Sequence, residues 1–181
     1  MKKLIMWNMI TLDGYFEGEK NWDLNFHELI WGEELEQISI ELLKSADMLV
    51  FGCVTYEGMA KHWIDAKGEI ADHMNSIPKV VCSSTIKSTN WKNTIIVRDA
   101  VAELSKLKQE GTGNIFVFGS GKLCDVLMKA NLFDEYRLAI VPVFLGKGRL
   151  LFNKGLNYEP LKLLESRQLS TGGVILRYAK G

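Results

Sequence analysis

Short apolar runs alternate with amphipathic segments of helical length along most of this chain, and this alternation limits the folds open to it. Strands separated by helices are typical of a parallel sheet, and runs such as Lys79–Ser83 are apolar enough for burial on both faces. The predicted strands of this part are Lys3–Ile10, Asp47–Gly52, Lys79–Ser83, Thr94–Val97 and Asn114–Phe118, and the predicted helices are Gly32–Ser45, Tyr56–Trp63, Val101–Glu110 and Lys122–Ala130.

The pattern changes after residue 135, where strands follow one another without helices. We predict strands over Tyr136–Val143, Leu161–Leu169 and Val174–Ala179, with a hairpin turn at Thr171-Gly172-Gly173. No internal repeat or linker divides the chain. We therefore predict one domain over residues 1–181, a three-layer α/β/α sandwich with a mixed, mostly parallel sheet and a C-terminal antiparallel β-hairpin.

Composition and charge argue against several kinds of partner. The 181 residues are 47% hydrophobic, and 22 basic residues balance 22 acidic ones. A chain with no net positive charge has no general attraction for nucleic acid or an anionic membrane, and no stretch approaches the ~20 apolar residues of a membrane span. The three cysteines and the spacing of His62 and His73 indicate neither a disulfide framework nor a metal site. We expect a cytoplasmic protein with a small-molecule substrate.

One segment is suited to holding a phosphate. The strand Ile115–Phe118 passes directly into the turn Gly119-Ser120-Gly121, which opens a helix. Glycines tolerate positive φ and have no side chain to block close approach, so the first N–H groups of the helix can point at an anion, and a nucleotide is the obvious candidate. The alternative is that glycine serves the geometry of the turn alone, because a lone G-x-G falls short of the dinucleotide fingerprint.

The segment Gly14–Trp31 is too long for a tight turn and is rich in aromatic residues, so we predict a functional loop there. Its rings would stack on a flat substrate, or would pack as the core of a lid or as a dimer contact. Just before it, Thr11 and Asp13 leave the first strand, either at the mouth of a cleft or as a simple Asp-Gly turn. The aromatic residues are Tyr15, Phe16, Trp22, Phe26 and Trp31.

Several short motifs follow one another in a specific order along the chain. They are Thr11-Leu12-Asp13-Gly14, Asp47–Tyr56, Lys79–Thr85, Gly119–Leu123, and Phe133–Glu135 followed by Ile140–Gly148. On these motifs the chain resembles the dihydrofolate reductase fold. Within that fold it is similar to the C-terminal reductase domain of the bifunctional riboflavin-biosynthesis deaminase/reductase and to its small stand-alone relatives. The resemblance covers nearly the whole chain.

The resemblance implies hydride transfer from NADPH, with NADH as the alternative, to a small flat heterocycle of the aminopyrimidine or dihydrofolate kind, in a homodimer. It places the cofactor across the carboxyl ends of the parallel strands, with the backbone near Met9 and Ile10 at the nicotinamide. Thr55 would hydrogen-bond the diphosphate, although a threonine at a helix start is equally an N-cap candidate. The other implied cofactor-binding residues are Gly52, Phe118, Gly119, Ser120, Gly121, Lys122 and Leu123.

One position departs from the family pattern. The family usually places an arginine after Gly52 to meet the adenosine 2′-phosphate, and this chain has Cys53. A thiol cannot replace the charge-assisted bonds of a guanidinium, so the departure weakens the case for NADPH over NADH. Ser83 and Ser84 would face the same phosphate with neutral hydrogen bonds. Lys87 is close enough in sequence to supply charge, or it belongs to a solvated turn.

The substrate side rests on Thr11, Asp13, Trp22 and Phe26. Reduction of a C=N or C=O bond needs a nearby proton, and Asp13 and Glu28 are the candidate donors. An acidic residue in such a loop is equally explained as solvated surface. Another class of function also fits the same pattern, namely a nucleotide- or flavin-binding dimer without dihydrofolate reductase-type turnover.

Overall fold

The computed structural model describes residues 1–153 and 155–181, and within them the chain forms a twisted eight-stranded sheet and a small two-stranded ribbon. The strands of the large sheet are β1 (Lys3–Thr11), β3 (Ala46–Gly52), β4 (Lys79–Cys82), β5 (Thr94–Val97), β6 (Asn114–Phe118), β7 (Glu135–Val141), β9 (Leu161–Gln168) and β10 (Val174–Lys180). The ribbon pairs β2 (Tyr15–Glu17) with β8 (Arg149–Leu150).

The strand order in the large sheet is β5-β4-β3-β6-β1-β7-β10-β9. Every neighbouring pair from β5 to β7 is parallel, and β10 runs antiparallel to both β7 and β9. The turn between β9 and β10 is closed by a bond from Leu169 N to Gly173 O of 2.8 Å, and Gly172 adopts φ +92°. The predicted mixed sheet with a C-terminal antiparallel hairpin is confirmed.

Helices cover the two faces of this sheet in separate groups. They are α1 (Glu33–Lys44), α2 (Cys53–Trp63), α3 (Glu69–Ser76), α4 (Ala100–Gln109) and α5 (Gly121–Lys129). The first three bury apolar side chains in one core cluster with Ile5 and Phe51 of the sheet. The last two share a second cluster with Met6 and Val50, whose side chains point to the opposite face because strand residues alternate. These two cores make the predicted three-layer sandwich.

The structure differs from the sequence prediction in several places. The helix α3 was not predicted, and the segment predicted as a long loop contains β2 and a 3₁₀ turn over Asn25–Leu29. The strand β2 pairs with β8, which lies more than a hundred residues later in the chain, so no local sequence pattern predicts this pairing. Helix α2 also begins at Cys53, three residues before the predicted start, which brings Thr55 into its first turn.

In the described part of the chain, none of the helices is both long and apolar enough to cross a membrane.

Candidate functional site

The predicted cofactor residues gather where β3 and β6 end side by side. These strands are parallel neighbours whose last paired residues are Phe51 and Phe118. The chain leaves β3 into α2 on one face of the sheet and leaves β6 into α5 on the other face. Helices that depart to opposite faces open a crevice at the carboxyl ends of the strands, which is where open α/β sheets bind ligands.

The two turns that open α2 and α5 touch each other. A Cβ at Gly119 would lie 3.0 Å from Thr55 Cγ2 and 3.1 Å from Thr55 Oγ1, and a Cβ at Gly52 would overlap the side chain of Ser120. The absence of a side chain at each glycine therefore lets the residue from the other turn fit against it. This contact brings Thr55 and the Gly119–Gly121 turn into one place, as the phosphate-site prediction requires.

The backbone of this turn differs from the expectation in one respect. Gly119 takes positive φ (+55°), but the second left-handed residue is Ser120 (φ 57°) and not Gly121. Ser120 is the N-cap of α5, and its Oγ accepts a long bond of 3.5 Å from Leu123 N. A Cβ at Gly121 would lie 2.8 Å from Phe16 Cε1, so glycine is needed there because the ring of Phe16 packs on it.

The start of α2 leaves N–H groups without a side-chain cap. Its N-cap residue, Gly52, has extended backbone (φ −77°, ψ 168°) and no side chain to accept a bond from the first turn. Thr55 lies in that first turn and is 9% exposed. An uncapped helix N-terminus carries partial positive charge, so this end of α2 can hold an anion. In the first turn of α5, Lys122 is exposed and Leu123 is buried in the core, which leaves Leu123 only its backbone for a ligand.

A further group of polar side chains lies at the edge of the crevice, where the loop after β4 meets α2. Cys53 Sγ lies 3.9 Å from Thr85 Oγ1. Ser83 Oγ accepts bonds from Thr85 N (3.1 Å) and Ile86 N (3.0 Å), which shapes the loop, while Ser84 is exposed. The structure thus brings Cys53 and Ser83 to one corner, as the resemblance implies.

On the other side of the crevice, β1 extends past the end of β6. The β1–β6 ladder ends at the pair Trp7 and Phe118, whereas the β1–β7 ladder continues to Thr11 and Val141. Residues 9–11 of β1 therefore extend beyond the end of β6 on the side of the strand that faces β6. Met9 is half-buried there and Ile10 is 6% exposed.

Asp13 fastens the end of β1 to the segment after β7. Its carboxylate accepts bonds from Thr11 Oγ1 (2.5 Å), Leu145 N (3.1 Å) and Gly146 N (2.8 Å). Partial desolvation raises the pKa of Asp13, but these hydrogen bonds to the charged form outweigh it and the pKa lies below its usual range. A carboxylate that stays ionised and has its oxygens occupied is a poor proton donor, so this environment favours a positioning role for Asp13 over proton delivery.

The remaining substrate-side residues separate in the structure. Trp22 is 38% exposed, adopts φ 66°, donates its backbone N–H to Glu17 Oε1 (2.5 Å), and lies against Gly58 of α2. Phe26 is 7% exposed and packs in the core beneath α1 to α3, so it has little surface left for a ligand. Glu28 is exposed on the 3₁₀ turn.

Two contacts at this site were not predicted from the sequence, those of Arg98 and Phe16. Arg98 bonds the carbonyls of the loop after β4, and its position directly after a predicted strand could have indicated it, because parallel strands end at the same edge. Phe16 covers Gly121, and no sequence signal connects these two.

No group of three or more His, Cys, Asp or Glu side chains among residues 1–153 and 155–181 is arranged to hold a metal ion. Burial raises the pKa of the Cys82 and Cys124 thiols to about 12, so both stay protonated at neutral pH.

Solved structures share this fold over almost the whole chain. A putative riboflavin biosynthesis protein from Shewanella sp. PV-4 matches with a TM-score of 0.82 and 20% identity, covering 99% of both chains. A pyrimidine reductase-like protein from Corynebacterium diphtheriae matches with a TM-score of 0.67 and 13% identity, covering 99% of this chain and 92% of that one. RibD from Acinetobacter baumannii matches with a TM-score of 0.68 and 16% identity, covering 100% of this chain and 58% of that one.

Two relatives from Bacillus subtilis, strain 168, are similar in sequence. The uncharacterized protein YyaP is 26% identical, with 98% of this chain and 94% of YyaP covered, and the uncharacterized protein YwjB is 26% identical, with 99% and 98% covered. The family model of the RibD C-terminal domain matches residues 2–175. With a match of that length, the chain belongs to the RibD C-terminal domain family.

Proposed function

We propose that this protein is an NAD(P)H-dependent reductase that transfers hydride to a small, flat heterocyclic substrate. The observation that carries the proposal is the contact between the opening turns of α2 and α5 at the crevice between β3 and β6. Membership of the RibD C-terminal domain family, the reductase domain of riboflavin biosynthesis, supports reduction as the reaction. In this proposal the aromatic-rich segment Gly14–Trp31 selects the substrate within that chemical class.

The residues present fit a dinucleotide diphosphate. The uncapped start of α2 offers N–H groups, Thr55 adds a hydroxyl beside them, and the Gly119 turn has no side chain that would obstruct a phosphate. Lys122, exposed in the first turn of α5, adds a positive charge beside that turn. Thr55 therefore orients the cofactor in this proposal, and it does not take part in the chemistry.

The extended edge of β1 is the proposed place for the nicotinamide ring. Backbone groups of Met9 and Ile10 lie beyond the end of β6, so a flat amide-bearing ring can align with them as a further strand would. The bound cofactor would supply the hydride. Asp13 keeps the adjoining loop in place through Leu145 and Gly146, which fixes the wall of the crevice next to that ring.

On the substrate side we propose that Trp22, whose ring is partly exposed, stacks on the heterocycle and that Glu28 is the candidate proton donor. Trp22 is held by Glu17, which is itself 5% exposed and paired with Arg149 at 2.6 Å. The bond to Glu17 holds the backbone of Trp22 in place, and positioned aromatic rings are what a flat substrate stacks on.

Titration with NADPH and NADH, followed by nicotinamide fluorescence, tests the proposal. We expect saturable binding that Thr55→Val weakens by about 10-fold or more, because a hydrogen bond to a charged group contributes about 1.5–3 kcal/mol. Valine keeps the shape of threonine, so the change removes only the hydroxyl. The matched control is Thr94→Val. Thr94 is the first residue of β5, away from the carboxyl ends of the strands, so this change should leave the affinities for both nucleotides unchanged.

Two other results would count against the proposal. If neither nucleotide binds at millimolar concentration, the site does not hold a dinucleotide. If NADPH binds but no flat heterocycle, tested at saturating cofactor, causes its oxidation, the chain is better described as a nucleotide-binding protein without this turnover.

A further inference from the structure

The corner between α2 and the loop after β4 contains a cation that the sequence motifs did not indicate. Arg98 follows the last residue of β5, and its guanidinium bonds two carbonyls of the loop, Ser83 O and, at 2.7 Å, Ile86 O. We propose that Arg98 is the residue that makes the site prefer a dinucleotide with a 2′-phosphate on its adenosine ribose, NADPH, over NADH. This inference rests on the proposed function.

The position of the corner supports this assignment. Cys53 belongs to the first turn of α2, which is proposed to hold the diphosphate, and its Sγ lies 3.9 Å from Thr85 Oγ1 of the loop. Thr85 Oγ1 is in turn 3.3 Å from Ser83 Oγ, and Ser83 O accepts from Arg98. The adenosine ribose is covalently joined to the diphosphate, so a ligand held at α2 brings its ribose toward these contacts.

Arg98 has donors left for a ligand. A guanidinium carries five N–H bonds in a planar fork, and the two loop carbonyls use only part of them. Arg98 is exposed, and among residues 1–153 and 155–181 it forms no ion pair within 4.0 Å of a carboxylate. Its charge is therefore not neutralised by a close partner, while its two anchoring bonds fix where the fork lies.

The other groups at the corner do not supply a positioned positive charge for a phosphate. Cys53 offers a thiol where a guanidinium would bond a phosphate, and the carboxylate of Glu57 lies 3.8 Å from Cys53 Sγ, where it would repel a phosphate. Ser84 and Thr85 are exposed and offer hydroxyl groups only. Lys87 is exposed on the same loop, but it makes no contact that would orient it toward α2. A positioned guanidinium is the group at this corner able to offset Glu57 and bond a phosphate through a fork.

The test compares dissociation constants for NADPH and NADH, and for the fragments 2′,5′-ADP and 5′-AMP, by fluorescence and calorimetry. For Arg98→Gln we expect NADPH and 2′,5′-ADP to bind about 10- to 100-fold more weakly, with NADH and 5′-AMP changed by less than about twofold. Arg98→Lys, which keeps the charge and a donor for the loop, should recover part of the loss. Lys87→Gln is the matched control and should change NADPH binding by less than about threefold.

A structural role alone predicts a different pattern, because a loosened loop weakens all four ligands equally. Equal weakening, or no change in NADPH binding, would overturn the inference. So would a wild-type protein that binds NADH as tightly as NADPH, although the reductase proposal would then stand. If Arg98→Gln does not fold, Arg98→Lys decides: loss of the planar fork should weaken NADPH and 2′,5′-ADP while NADH and 5′-AMP stay within about twofold of the wild type. Failure of the wild type to bind any of these ligands would refute both proposals.

Discussion

At the scale of single residues, His27 is the side chain whose burial has the clearest consequence. Its Nε2 is buried and has no hydrogen-bond partner in the described part of the chain. Burial lowers the pKa of His27 to about 4, from an ordinary value of about 6.5. The imidazole is therefore neutral in the folded protein at every pH above about 4, and the fold excludes its charged form.

This burial predicts a loss of stability in weak acid. As the pH falls from about 6.5 to 4, the unfolded chain binds a proton that the folded chain does not, so the free energy of unfolding decreases. The contribution of His27 is a loss of about 2 kcal/mol between pH 7 and pH 5. Urea unfolding at the two pH values measures it, and His27→Leu should remove that part of the dependence. His62→Leu, at an exposed position, is the control. A His27→Leu protein with the pH dependence of the wild type would contradict the prediction.

Residue chemistry also explains how much of the candidate site could be predicted from the sequence. The turn at Gly119 was predictable, because a strand followed by glycine and a helix is a local pattern. The need for glycine under Phe16 was not, since it depends on a side chain from a distant part of the chain. For Asp13, the Asp-Gly turn was visible, but its bonds to Leu145 and Gly146 cross more than a hundred residues.

At the scale of elements, the helices and strands that were predicted have a local sequence pattern, whereas those that were missed depend on contacts with other parts of the fold. Strands β4 and β6 are short apolar runs that need only burial on both faces, so their pattern is sufficient. Helix α3 has only eight residues, too few to be stable from its own propensity. The ribbon of β2 and β8 depends on pairing across the fold.

Helix α3 depends instead on Lys79, the first residue of β4. Lys79 is 1% exposed, and its Nζ donates to Met74 O (2.8 Å), Asn75 O (3.2 Å) and Ile77 O (2.7 Å) at the C-terminal end of α3. The ammonium also lies 4.7 Å from the ring centroid of Trp91. Burial lowers the pKa of Lys79 to about 8, so the charge is costly there and is kept by these carbonyls.

We expect Lys79→Met to lower the free energy of unfolding by about 2–4 kcal/mol. Methionine fills similar space, but buried carbonyls that lose their donor cost about 1–3 kcal/mol each, and removal of the desolvated charge offsets part of that cost. Urea unfolding followed by circular dichroism gives the value. Lys92→Met changes an exposed lysine on the loop before β5 and should stay within about 0.5 kcal/mol of the wild type. A Lys79→Met protein as stable as the wild type would show that α3 does not depend on this cap.

At the scale of the whole molecule, the sheet is covered unevenly. The face that α4 and α5 cover continues past α5 onto β10 and β9, where a cavity of about 540 Å³ is lined by Tyr136, Leu138, Phe152, Tyr158, Leu161 and Tyr178, among others. Tyr158 is 96% exposed, and Leu163 on the edge strand β9 is 51% exposed. Exposed apolar side chains beside an edge strand are a surface that proteins usually cover, because both invite association.

We propose that a second copy of this chain covers that surface, as a symmetric homodimer. Sedimentation equilibrium should then give twice the 20.5 kDa mass of one chain. Leu163→Lys places a charge on the edge strand beside the cavity and should shift the protein to the mass of one chain, because an unpaired buried charge costs several kcal/mol. Leu29→Lys is the matched control, since Leu29 is equally exposed (53%) on the 3₁₀ turn and should leave the mass unchanged. A wild-type protein at the mass of one chain, or a dimer that Leu163→Lys does not weaken, would show that this face is not where two copies meet.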